Sequence, residues 1–308
     1  MSGPIMMVHL ALERLACGAL ERIPEPEPVM LDEAHNAAFR DAGREDGVLA
    51  FLYLYHAIHV SSLIRPGERV LDLACGPANQ LVQIARLHPE SHFVGLDASV
   101  GMLQEAHRTL ARRGVTNVEL VEGDMTRLDG IASASVDCVL CTMSLHHMPD
   151  RAALALAIGE ARRVLRDGGG AYFADFGRLK RRGTQRYFAN DWDTEQSAAF
   201  TQDYLDSLRA AFSREELQQA MAPFGNSLEA HVSALAPFMV IFTSGPRHAW
   251  AQPLRQRAHT LFQELGAAQQ RKFEVFARWM SAGGWKLPMK FDAGGLKHPI
   301  RAENATSS

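Results

Sequence analysis

From Pro66-Gly67 onward the chain alternates short apolar, β-branched runs with stretches whose apolar residues recur three and four apart. That rhythm predicts strand 69–74, helix 77–87, strand 92–96, helix 99–113 and strand 118–122. Strand 136–142, helix 151–165 and strand 171–176 follow. Strands that take turns with helices imply a parallel sheet with crossover helices on both faces. Ser99 ahead of Met102, Leu103, Ala106 and Leu110 marks a capped helix with one apolar stripe. Arg166-Asp167-Gly168-Gly169-Gly170 predicts a helix stop that turns the chain into the next strand.

The flanks follow a different pattern. Residues 1–64 carry no strong strand signal and read as an N-terminal helical cap or lid, with Asp32 to Leu63 a helix broken near Gly43 and Gly47. Residues 177–212 open with a basic run and continue through Tyr187, Phe188, Trp192 and Tyr204, an insert within a core spanning 65–246. Ser213 and Glu216 predict a capping box for a helix reaching about Phe224, and F-M-V-I-F-T at the end of 228–243 predicts a strand inside the sheet. Leu254, Ala258, Leu261, Leu265, Phe273, Phe276 and Met280 predict one or two amphipathic helices in a C-terminal extension, 247–308.

Composition narrows the function classes. With 47% hydrophobic and 22% charged residues, the composition fits a soluble globular protein, and 308 residues suffice for one large α/β domain with additions or for two modest domains. A formal net charge of -3 argues against bulk nucleic-acid binding. Cys17, Cys75, Cys138 and Cys141 sit among apolar or small residues and do not form a disulfide scaffold. The Cys138/Cys141 pair, inside a continuous apolar run, is expected to be buried thiols rather than a metal or redox site. No apolar run reaches membrane-spanning length and no secretory leader is visible, which places the expected enzyme in the cytoplasm.

The chemistry concentrates where strand one enters V-L-D-L-A-C-G-P-A, residues 70–78, and where strand two ends at Asp97. A small-residue turn lets the backbone approach a ligand, and an acid at the next strand end takes up ribose hydroxyls, which indicates an adenosine-containing cofactor. Gly76 is the only glycine in the turn, so the three-glycine nicotinamide fingerprint is absent. Asp72 would also repel a pyrophosphate but favour an amino group and a sulfonium.

These residues resemble the seven-stranded, class I S-adenosylmethionine-dependent methyltransferases, and the similarity covers about 65–243. It rests on the 70–78 run and on F-V-G-L-D-A-S at 93–99, V-E-G-D-M at 121–125 and A-R-R-V-L-R-D-G-G-G at 161–170. V-D-C-V-L-C-T-M-S-L-H-H-M at 136–148 resembles the small-molecule and quinone-modifying branch. The resemblance implies an open seven-stranded, Rossmann-like α/β sheet with helices on both faces and helical additions at both termini. It implies that Gly76 lies against the methionine part of S-adenosylmethionine and that Asp72 orients the loop or reaches the amino group. Asp97 would bind the ribose, Asp124 the adenine amino group, and Met125 would cover a ring face, with Ala74, Ala98 and Thr142 beside them. Ala74 and Ala78 depart from the glycines the family prefers.

Methyl transfer needs in-line attack, and a base only where the acceptor must lose a proton. The carboxyl ends of strands four and five nominate His146, His147 and Asp175, and Tyr55 in the N-terminal segment is a further catalytic candidate, alongside Tyr53 and His56. Arg178, Lys180, Arg181, Arg182 and Arg186 would receive an anion or form a solvated loop. The leading expectation is a small-molecule methyltransferase, with a homodimer through the terminal helices as a possible assembly. A peptide, protein or tRNA methyltransferase, a catalytically silent binding protein and a nicotinamide oxidoreductase are the alternatives.

Overall fold

Short, near-continuous apolar runs form five parallel strands: β1 (Arg69–Leu73), β2 (His92–Asp97), β3 (Val118–Glu122), β4 (Val136–Thr142) and β5 (Leu165–Phe176). A hairpin of β6 (Glu229–Ser233) and β7 (Ala236–Thr243) adds two more, with β7 antiparallel to β5. The sheet order is β3-β2-β1-β4-β5-β7-β6. The computed structural model describes residues 3–18, 20–25, 47–190 and 198–291.

The strands divide their side chains between two cores. Val70, Cys138, Leu140, Tyr172 and Ala174 enter one, and Leu71, Leu73, Val139, Cys141 and Phe173 enter the other. Cys138 and Cys141 therefore fall in different cores, and burial pushes both thiols up, which keeps them protonated. The second core is closed by α5 (Arg151–Val164) and α8 (Arg214–Ala220), the latter starting at the expected Ser213/Glu216 capping box.

The first core is built around α2 (Ala50–Val60), every residue of which is buried. A helix that is apolar all round belongs inside a protein. It packs against α3 (Asn79–Leu87), α9 (Gln252–Glu264) and α10 (Ala267–Ala282), and His56 Nδ1 lies 2.8 Å from the Tyr172 hydroxyl on β5. A Cβ on Gly170 would come within 2.8 Å of Leu63 Cβ, so this glycine lets the end of the N-terminal segment close on the sheet. The C-terminal helices share that core through Phe262, Phe273, Phe276 and Met280.

Several expectations are corrected. Of the expected Asp32–Leu63 helix the described residues show α2, a buried core helix that lends Leu52 and Tyr53 to the ligand cavities, while positions 32–46, Gly43 among them, lie outside the described residues. Another helix of that N-terminal segment, α1 (Pro4–Leu15), precedes it. The Arg166–Gly170 stop is a bulge inside β5, because β4 advances from Val136 to Cys138 while β5 advances from Leu165 to Gly170. The insert folds as α6 (Arg182–Asn190) and α7 (Ala198–Ala210). Trp192 lies outside the described residues. Among those residues no helix is long and apolar enough to cross a membrane.

Candidate active site

The turn after β1 holds three left-handed residues, Ala74 (φ 57°), Gly76 (φ 54°) and Ala78 (φ 59°), which carry the backbone sharply from strand into α3. Asp97 braces this turn. Its Oδ2 accepts the Gly76 N–H at 2.8 Å and its Oδ1 accepts the Ser99 N–H at 2.8 Å, so one carboxylate ties the β1 turn to the start of α4 (Val100–Arg113). Asp124 Oδ1 accepts both the backbone N–H and the hydroxyl of Thr126, each at 2.8 Å, on an exposed turn with Met125 buried beside it.

These residues surround one cavity of about 410 Å³ at the carboxyl ends of the strands. Asp72, Ala74, Gly76 and Asp97 line it together with Ala98, Asp124, Met125 and Thr142, so the structure brings together every position expected at the cofactor. Burial, reinforced by the charge of Asp97, pushes the Asp72 carboxyl well above the usual range. Asp97 is also raised by burial, although the Ser99 and Gly76 N–H groups oppose the shift. Two adjoining carboxylates whose charges are disfavoured by burial make a setting that a cationic ligand relieves. The residues present therefore fit a ligand with an ammonium and a sulfonium.

A second, narrower cleft of about 60 Å³ shares Tyr53, Met143 and His147 with the first. Its walls are mostly apolar, with Leu52, Phe176, Phe200, Tyr204 and Phe238 among them. At the junction stands a cluster of ionisable groups. His146 Nδ1 lies 2.7 Å from Asp175 Oδ1, and Asp175 Oδ2 accepts the His146 backbone N–H at 3.0 Å. His147 Nδ1 lies 2.5 Å from Glu25 Oε2, and Glu25 Oε1 accepts the Ser207 hydroxyl at 2.9 Å. Burial disfavours the charged form of His146, but the charge and hydrogen bond of Asp175 outweigh it and raise its pKa. Burial would likewise raise Glu25, yet His147 and His146 hold it down at about 2.

Two catalytic expectations change. Tyr55 is fully buried, edge-on to Phe273 and Phe276, and lines neither cavity. Residues two apart on a helix point about 200° apart, so it is Tyr53 that faces the ligand space. Asp175 is buried as the partner of His146 and lines neither cavity. His147 lines both, and His146 lines the apolar one.

The basic run is largely structural or outward. Arg178 is paired with Glu216 at 2.6 Å, while Arg181, Arg182 and Arg186 are exposed. Sequence reasoning missed Glu25 and Arg22. Arg22 donates to the carbonyls of His146 (2.9 Å), Met148 (2.5 Å), Pro149 (2.7 Å) and Ala210 (2.6 Å), which fastens the N-terminal segment under the loop after β4. The one available signal was the proline spacing in I-P-E-P at 23–26, which keeps Glu25 on extended chain.

This sheet order, with its reversed seventh strand and its cavity over β1 and β2, defines the fold of the class I S-adenosylmethionine-dependent methyltransferases. Comparison with known proteins agrees. A family model described as a methyltransferase domain matches residues 70–169. A 37.1 kDa protein encoded in transposon Tn4556 of Streptomyces fradiae is 38% identical over 117 residues, covering 37% of this chain and 32% of that one. Demethylmenaquinone methyltransferase of Geobacillus kaustophilus is 32% identical over 107 residues, covering 34% of this chain and 44% of its own. The match thus spans less than half the length of these curated relatives. Among solved structures, an S-adenosylmethionine-dependent methyltransferase from Aquifex aeolicus superposes with a TM-score of 0.52 at 13% identity, over 70% of this chain and 98% of that one. The plantazolicin methyltransferase BpumL superposes with a TM-score of 0.53 at 14% identity, over 79% and 85%.

Proposed function

We propose that this protein transfers the methyl group of S-adenosylmethionine to an oxygen, nitrogen or carbon atom of a small, mostly apolar organic acceptor. The observation that carries the reading is a pair of cavities meeting at Tyr53, Met143 and His147. The larger has the volume and acidic lining for the cofactor, and the smaller has aromatic walls suited to the reacting end of a flat organic molecule. The 107-residue match to demethylmenaquinone methyltransferase supports an aromatic, quinone-like acceptor.

When bound, the cofactor supplies a methyl on a positively charged sulfur, which leaves as attack proceeds in line. Asp97 would take the ribose hydroxyls with the acceptor positions left after bracing the turn, and Asp72 would face the ammonium. Asp124 and Met125 would hold the adenine edge and face. His147, bonded to Glu25 and lining both cavities, would take the proton of an acceptor hydroxyl or amine. Apolar walls around it exclude water from the attack.

Calorimetric titration of the full chain with S-adenosylmethionine and with nicotinamide dinucleotides tests the reading. One equivalent of S-adenosylmethionine is expected to bind and the dinucleotides are not. Asp97→Asn should weaken binding by about 1.5–3 kcal/mol, the range for hydrogen bonds to a charged group. Dinucleotide binding without sulfonium binding would overturn the assignment.

A further inference from the structure

We propose that Glu25, His146 and His147 form a binding site for a divalent transition-metal cation at the junction of the two cavities. Two imidazoles and a carboxylate are a ligand set for Zn²⁺, Fe²⁺ and related cations, and three protein ligands leave a position open. One ligand atom from each of the three residues lies within 4.8 Å of the others.

The surroundings of the cluster are those of a ligating histidine. His146 Nδ1 and the His146 backbone N–H both bond to Asp175, which fixes the ring and leaves Nε2 turned toward Glu25 Oε1, 3.8 Å away. A metal-binding histidine ordinarily gives its second ring nitrogen to a carboxylate in this way. Ser207 orients the Glu25 carboxylate from the other side. With metal–ligand bonds of about 2.0–2.2 Å, tetrahedral ligands stand roughly 3.3–3.6 Å apart. The His146–Glu25 separation is close to that spacing. The His147–Glu25 pair, at 2.5 Å, has to open by about an ångström, which side-chain rotation supplies. Arg22 brings a positive charge near His146, but Asp175 and Glu25 set two carboxylates against it.

A cation held here would stand beside ligand space, because His147 lines both cavities. What the cation would do there rests on the proposed methyl transfer, whereas its binding does not. With His147 engaged as a ligand, the cation rather than the imidazole would activate the acceptor: it would hold an acceptor hydroxyl oxygen and acidify it, the proton leaving to solvent before the methyl transfer. That oxygen's electron pair then forms the new C–O bond as the S–C bond breaks, with its electrons remaining on sulfur.

The test is titration of chelator-stripped, full-length protein with ZnCl₂ by calorimetry and with CoCl₂ by visible absorption, in the absence of S-adenosylmethionine. One equivalent is expected to bind at micromolar or lower concentration, with a cobalt spectrum of four- or five-coordinate intensity. Glu25→Gln and His147→Gln should each weaken binding about 100-fold, and Asp175→Asn, outside the ligand set, by roughly 10-fold or more. Circular dichroism establishes that each variant is folded, and Glu25→Gln keeps the local shape if the buried His146 and Asp175 positions do not tolerate change. No saturable binding, or binding whose affinity Glu25→Gln and His147→Gln leave untouched, would overturn the site. Separate titration of the stripped protein with S-adenosylmethionine shows whether a failure belongs to the metal or to the methyltransferase reading.

Discussion

Ala74 and Ala78 adopt a backbone conformation that glycine takes without cost. For an alanine the left-handed region costs roughly 1–2 kcal/mol, partly offset because glycine would lose more freedom on folding. Ala78 is buried in the core, so its methyl group has packing to lose, whereas Ala74 is only half-buried. Ala74→Gly is therefore expected to raise stability, by up to about 1 kcal/mol, measured as an increased urea midpoint at unchanged slope. A lowered midpoint would show that the methyl group's contacts outweigh the strain. At this scale the sequence was informative, since the departure from glycine was visible at both positions and each proves left-handed.

Among the elements, α10 shows how closely the C-terminal helices are built in. Gly283 ends it against the β6–β7 hairpin, where a Cβ would stand 2.1 Å from the Val232 carbonyl oxygen. Neither a backbone oxygen nor a helix end packed on the sheet moves cheaply. Gly283→Ala should cost about 3 kcal/mol or more, seen as a large fall in melting temperature, while Gly266→Ala, in open space, should change it little. Equal behaviour of the two variants would mean that the helix end shifts freely. The amphipathic pattern from Leu254 to Met280 identified these helices, but periodicity names an apolar face and not its partner. Their contact with α2 could only be seen in three dimensions, and the same holds for Tyr53 against Tyr55, which depends on how α2 is rotated.

For the molecule as a whole, buried histidines set the response to acid. Burial holds His56 and His88 down to about 3, and for His88 the nearby His248 and Arg257 add to the effect. Both are neutral when folded, while in the unfolded chain they take up protons below about pH 6.5. The unfolded state then binds more protons, so stability falls as pH drops from about 6.5 toward 3. His56 and His88 thus contribute a decline of the unfolding free energy between about pH 6.5 and 5. The raised carboxyls of Asp72 and Asp97 and the raised imidazole of His146 act against it, so each histidine's share is read from urea titrations of the protein with and without it. His88→Gln should remove as much as about 1.4 kcal/mol per pH unit from that slope, the contribution of a single proton. An unchanged slope would show that His88 gains access to water on protonation.

What the sequence by itself determined are features written into neighbouring residues. The strands β1 to β5 and their crossover helices follow from local periodicity. The Ser213/Glu216 cap is a three-residue spacing, and the cofactor cavity collects strand ends that an open parallel sheet must place side by side. Tertiary structure alone decided the rest. Glu25 reaches His147 across 122 positions and Arg22 reaches His146 across 124, joined by packing of an extended segment that no local pattern assigns to a place. Asp175 looked like a pocket residue because it ends a strand, and it is turned inward because His146 offers both a ring nitrogen and a backbone N–H. Local sequence specifies which way each residue alternates within its own element, but the partners across elements depend on how those elements close on one another.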